Sequence, residues 1–316
     1  MSNSLSLWFN WPGLANFFLQ LEQFSIDSGS SNFMSESFLF GLLQFLIYFV
    51  PPIIIVLQIF GKPDKSLNWD AELFSELNTY IVRSFFWAVL LIGIVDMFLS
   101  FLRVEGILEV FVGEDLAKNI GRSRFRGANI HYPIVVIAFI IGYFSRGLGF
   151  IWLSALIVIA EMQIVIARFV FSYEQAFMAD LVRFWYGALF LFASAYTLVK
   201  EGHVRVDVFY AGFSKRGKAW CNMLGSILFG VPLCWVILLQ GMWGKSNVIS
   251  GPMLNYEVTQ AGYGMYVKYL LAGFLLVFAF TMLIQFMSYF LTNLAVLRDQ
   301  VGSKQPNSEN SSEMET

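Results

Sequence analysis

The chain has 316 residues, 57% hydrophobic and only 13% charged, with a mean hydropathy of +0.64 and a formal net charge of −2. A soluble domain carries about 25% charged residues, so a water-soluble globular body is excluded, and no run of strict apolar–polar alternation exists to build a transmembrane barrel. What remains is an all-α polytopic membrane protein, because apolar runs long enough to cross about 30 Å of hydrocarbon recur along the sequence.

Residues 1–37 read as an interfacial arm. Trp8, Phe9, Trp11, Phe17 and Phe18 are interrupted by Asn, Gln and Glu, and aromatic side chains favour the headgroup zone. A loosely ordered terminus is the competing reading. This stretch holds no Lys or Arg, so it offers no basic n-region for a cleavable signal. Residues 38–149 form an N-terminal membrane extension. Its first apolar run, Phe38–Phe60, contains Pro51-Pro52, which interrupts helical hydrogen bonding and predicts a kink. A polar link over 61–79 leads to a second run, Ile81–Leu102, with Asp96 near its middle. Residues 103–130 mix apolar and charged positions and end in Arg122, Arg124 and Arg126, which suits a surface helix or a solvated loop. Residues 130–148 are a weaker candidate span.

The second half is clearer. Apolar runs cover Phe150–Phe171, about Leu181–Val199, about Ala219–Trp243 and about Tyr266–Leu297, and residues 299–316 read as a disordered tail of Ser, Asn, Gln and Glu. The 200–218 link holds Lys200, Arg205, Lys215, Arg216 and Lys218, whereas 244–265 holds Lys245 alone. The positive-inside rule therefore predicts that the first link and the C-terminus are cytoplasmic. If 130–148 crosses, there are seven spans, the N-terminus is outside, and the basic residues of 103–130 lie outside against the rule. If it only dips in, there are six. The stretch is long enough to cross, so seven are expected.

Few residues could carry chemistry. Cys221 and Cys234 make no disulfide framework, and Cys234 suits a packed apolar position. His131 and His203 are the only histidines, too few for a haem-bearing membrane cytochrome or a zinc site. Gly212–Ala219 nearly matches a phosphate-binding loop, but Ala219 stands where a hydroxyl should hold magnesium and no strand precedes it. The sequence thus points to no enzyme and to no catalytic, cofactor-binding or metal site. Glu161 is central in its run, Arg168 lies seven residues on along nearly the same face, and Gln163 adds a third polar group. With Asp96 these are candidate intramembrane polar contacts. They suit either an ion path or a contact with another helix or subunit, and the second is preferred because one carboxylate makes no relay.

The segment Gly202-His203-Val204-Arg205-Val206-Asp207 places three ionisable groups between two apolar runs, where they must sit at an interface with partners. Together with Ala193–Val199 before it, Gln163–Phe171 and Gly262–Lys268, this segment resembles the small permease subunit of tripartite ATP-independent periplasmic (TRAP) transporters, the DctQ-like family. The likeness covers 150–298, a four-helix membrane domain. Ser172–Gln175 depart from the family's usual Trp and paired acids, so nothing is carried over there. The resemblance implies a non-catalytic subunit that widens the fixed scaffold of a large permease. That partner moves a solute, commonly an organic acid, driven by Na⁺ and delivered by a periplasmic binding protein. His203, Arg205 and Asp207 would be the family motif, at a subunit or lipid interface. The implied partners are these two proteins and membrane lipids of a bacterial inner membrane, with no nucleic acid. A self-sufficient channel or carrier using Asp96, Glu161 and Arg168 is the alternative.

Overall fold

A computed structural model of the chain describes residues 10–26, 36–61, 66–145, 147, 150–173, 176–199, 210–258 and 264–298. Among them the regular structure is helical: α1 Gly13–Ile26, α2 Glu36–Gly61, α3 Leu67–Val104, α4 Leu108–Val112, α5 Glu114–Ile120, α6 Ser123–Phe144, α7 Phe150–Phe171, α8 Ala176–Val199, α9 Lys215–Met242, α10 Ser250–Asn255 and α11 Lys268–Leu297. Seven of these, α2, α3, α6, α7, α8, α9 and α11, are long and apolar enough to cross a membrane. Residues 130–144 of the weaker candidate thus belong to a full-length candidate span, α6, which begins upstream at Ser123 and ends at Phe144.

Two compact units divide these helices, one within Met1–Lys65 and Leu239–Leu254, the other within Ser66–Leu238 and Asn255–Thr316. In the first, α1 lies on α2. Phe17 is buried between Phe38 and Phe45, with ring centroids 5.5 and 5.8 Å away, and Gly41 leaves room for its ring. The buried Gln44 carboxamide oxygen accepts the Gly13 N–H at 3.1 Å, one of the free donors at the start of α1.

The second unit is built around α3. Expected as a link up to residue 79, the chain is already helical from Leu67. Ser66 caps it, its hydroxyl accepting the Trp69 N–H at 3.3 Å, and Asp70 sits in the positive first turn. At 38 residues α3 is about 57 Å long, well beyond the hydrocarbon thickness, so its polar first turns leave the bilayer or the helix tilts. A hydropathy window finds only the buried middle of such a helix. α3 packs against α6, α8 and α11. Its Val82, Phe86, Val89 and Ile92 share a core with Phe184, Trp185, Ala188 and Phe192 of α8 and Phe274 of α11.

Between lipid-immersed helices apolar burial supplies little drive, so close packing and hydrogen bonds hold the bundle together. Gly93 lets α8 approach: a Cβ there would lie 2.2 Å from the Trp185 indole nitrogen, which donates to the Val89 carbonyl at 3.3 Å. Asn78 donates to Gln285 at 3.0 Å and Ser288 to the Ala71 carbonyl at 2.7 Å, both joining α3 to α11. Tyr80 donates to the Phe139 carbonyl on α6 at 3.1 Å.

Candidate functional site

Asp96 is fully buried on α3, and three donors from two other parts of the fold converge on it. Its Oδ1 accepts from Arg126 Nη1 at 2.8 Å and lies 3.1 Å from His131 Nε2. Its Oδ2 accepts the Tyr266 backbone N–H at 2.9 Å. His131 Nδ1 is 2.7 Å from the Tyr269 hydroxyl. Arg126 also donates through Nε to the Ile120 carbonyl at 3.1 Å and through Nη1 to Ser100 at 3.3 Å, with its guanidinium 4.3 Å from the Tyr266 ring centre. A carboxylate can only accept, so His131 Nε2 carries a proton. Nε2–H donates to Asp96, and Nδ1 forms the hydrogen bond with the Tyr269 hydroxyl.

Local backbone geometry assembles the cluster. Residues five apart on a regular α-helix point about 140° away from one another, so Arg126 and His131 would diverge. Gly127–His131 instead forms a π turn, closed by the Tyr132 N–H on the Gly127 carbonyl, and the wider turn brings both side chains to one carboxylate. Gly127 also leaves space for neighbours: a Cβ there would lie 2.5 Å from the Tyr256 ring and 2.9 Å from the Tyr269 hydroxyl. Tyr256 itself adopts φ +50°, an unfavourable backbone for an aromatic residue, and its ring packs at a tilt against Tyr269, the centroids 5.2 Å apart.

The same carboxylate strategy recurs at Asp180. Expected in a polar link, this residue lies inside α8, and its Oδ2 accepts the Met265 N–H at 3.1 Å. Asp96 and Asp180 together hold the segment that enters α11, whose Met265 and Val267 are buried. Arg103 adds a bond to the Gly264 carbonyl at 2.8 Å and lies 4.5 Å from the Tyr266 ring centre.

Asp96 therefore does not meet Glu161, Gln163 or Arg168. Those three are exposed on α7, whereas Asp96 is enclosed. Nor does Asp96 pair with Arg83, which donates to the Ser145 carbonyl at 2.6 Å. His203, Arg205 and Asp207 lie outside the described residues, as does the tail 299–316. The near-match to a phosphate loop is a helix start: Tyr210–Gly212 make a short 3-10 turn, Ser214 caps α9 by accepting the Gly217 N–H at 3.2 Å, and Lys218 lies 5.3 Å from the Tyr210 ring centre. Among the described residues no group of three or more His, Cys, Asp or Glu could hold a metal ion.

Residues 155–296 match the family model of the DctQ component of tripartite ATP-independent periplasmic transporters. This part of the chain, somewhat under half of it, is similar to the DctQ family. No curated protein and no solved structure matches the chain. The DctQ region comprises α7 from Ala155 onward and the whole of α8 and α9, and ends at the last turn of α11. The matched family is a membrane-transporter component, and the chain's seven helices long and apolar enough to cross a membrane agree with a multi-pass membrane protein. The buried cluster straddles the edge of the DctQ region: Asp96, Arg126 and His131 precede it, whereas Tyr266 and Tyr269 lie within it. Sequence reading singled out Asp96 but missed its partners, since helical spacing separates Arg126 from His131 and nothing in the sequence marks the π turn.

Proposed function

We propose that the chain is the small integral-membrane subunit of a TRAP-type secondary transporter. It scaffolds a large permease that takes up a solute, an organic acid, driven by Na⁺ and delivered by a periplasmic binding protein. The DctQ match carries this reading. The polar groups support it: the most enclosed ionic cluster is consumed by internal bonds, as in a scaffold, while Glu161 stays exposed halfway along a span, where lipid is a poor neighbour.

In this reading residues 200–218 and the C-terminus are cytoplasmic, and the N-terminus is outside. The basic residues of 103–130 then lie on the outer side. Two of them count little as free cations, because Arg126 is ion-paired and buried and Arg103 is bound to the Gly264 carbonyl. His203, Arg205 and Asp207 serve at the contact with the large permease or with lipid headgroups. Residues 1–37, 38–149, 150–298 and 299–316 act as arm, extension, small-permease domain and tail.

Removing the chain from cells that carry the other two components should abolish uptake, and its purification should bring down a larger membrane protein. Solute accumulation by the chain alone in liposomes under a sodium gradient would overturn the assignment.

A further inference from the structure

We infer that the flank of α7 carrying Glu161 and Arg168 is the face on which the large permease docks, with a cationic or hydrogen-bond-donating side chain of that partner meeting the Glu161 carboxylate near mid-membrane. This rests on the small-permease reading and assigns it a surface.

Occupied surface narrows the choice. Faces of α8 and α11 are already covered by the chain's own α3, through the Trp185–Val89, Asn78–Gln285 and Ser288–Ala71 hydrogen bonds and the shared aromatic core. By contrast α7 packs mainly on α8. It turns Leu153, Ala160 and Ile164 inward and leaves most of its circumference open. Glu161 follows Ala160 by one residue, about 100° around the helix, and Arg168 returns to the same flank two turns later, about 10 Å along. Gln163 falls on the opposite flank.

Depth separates the two charges. Arg168 is three residues from the end of α7 and can extend its guanidinium to the headgroups. Glu161 lies about 16 Å along the helix from Phe150, near the middle of a span of 22 residues, and has no such escape. It accepts from no partner among the described residues, and an ionised carboxylate at this depth is among the costliest groups to leave against lipid. A second membrane chain with a Lys, Arg or amide donor opposite Glu161, and an acceptor two turns away opposite Arg168, relieves both.

The test uses the full chain co-expressed with its large permease, with a photo-crosslinking phenylalanine analogue at Val165, beside Glu161 on the same flank, or at Phe229, exposed on α9. An adduct to the large permease from Val165 and none from Phe229 is expected. An adduct from Phe229 alone, none from either site despite co-purification, or a Val165 adduct to a second copy or to the chain's own N-terminal unit would overturn the inference. If the two subunits do not co-purify at all, the small-permease reading itself fails. In parallel, E161Q should keep co-purification near the unaltered level, because the amide still accepts, and E161K should lower it by about tenfold or more. Abundance of each variant expressed without the partner controls for folding. Unchanged co-purification of E161K would also overturn the inference.

Discussion

At the residue scale the decisive feature is a carboxylate fully enclosed by the bundle. Asp96 and Arg126 are both fully buried, and each is tolerable only because the other is present. Replacing Asp96 with Asn leaves the Arg126 charge uncompensated and should cost about 3–5 kcal/mol, read as a lower unfolding temperature in detergent. A buried ion pair need not exceed an apolar pair of similar volume in net stability. The double variant Asp96→Leu/Arg126→Met should therefore be much less destabilised than the sum of its single changes, with a coupling of about 1 kcal/mol or more in a double-mutant cycle. Additive losses would mean that the two groups act separately. The value of the pair lies in its direction: it accepts only one arrangement of α3, α6 and the entry to α11.

At the element scale, glycine placement decides how closely the helices can meet. Gly93 faces Trp185, and Gly142 on α6 lies against Ser84 of α3, where a Cβ would come within 2.4 Å of the Ser84 hydroxyl. Gly93→Val must push the indole aside and break its bond to the Val89 carbonyl. Such overpacking costs about 1–3 kcal/mol, so a lower unfolding temperature and a shifted tryptophan emission are expected. Among the described residues nothing lies within 4 Å of a Cβ added at Gly212, which serves as a control, since Gly212→Ala should leave stability nearly unchanged.

At the scale of the whole molecule, the extension and the DctQ region share one core within the second unit. Val82, Phe86, Val89 and Ile92, all before the family match, fill the gap between α8 and α11. A fragment beginning at residue 150 should thus be poorly retained in the membrane, and co-expression of residues 1–149 as a separate chain should restore it. Normal abundance of the fragment alone would show that α3 is dispensable. For the motif His203, Arg205 and Asp207 the expectation concerns assembly: Arg205→Ala should lower recovery of the complex while the apparent affinity for solute stays unchanged. A changed affinity with intact assembly would contradict a scaffold role.

Composition alone determined the helical membrane class, because a chain so poor in charge has few other ways to satisfy its backbone in lipid. The span boundaries of α7 and the DctQ likeness were also legible, since lengths and local motifs are properties of adjacent residues. Contacts between distant residues were not. Asp96 stood out as a costly group in an apolar run, but its partners lie 30, 35 and 170 positions away and are brought in by a π turn and a backbone N–H. Neither leaves a mark on hydropathy. The start of α3 at Leu67 was hidden too, because its outer turns are polar and pair with α11 rather than with lipid. The chain's chemistry specified which groups could not be left alone in a bilayer, and only the packed bundle decided which neighbours they found.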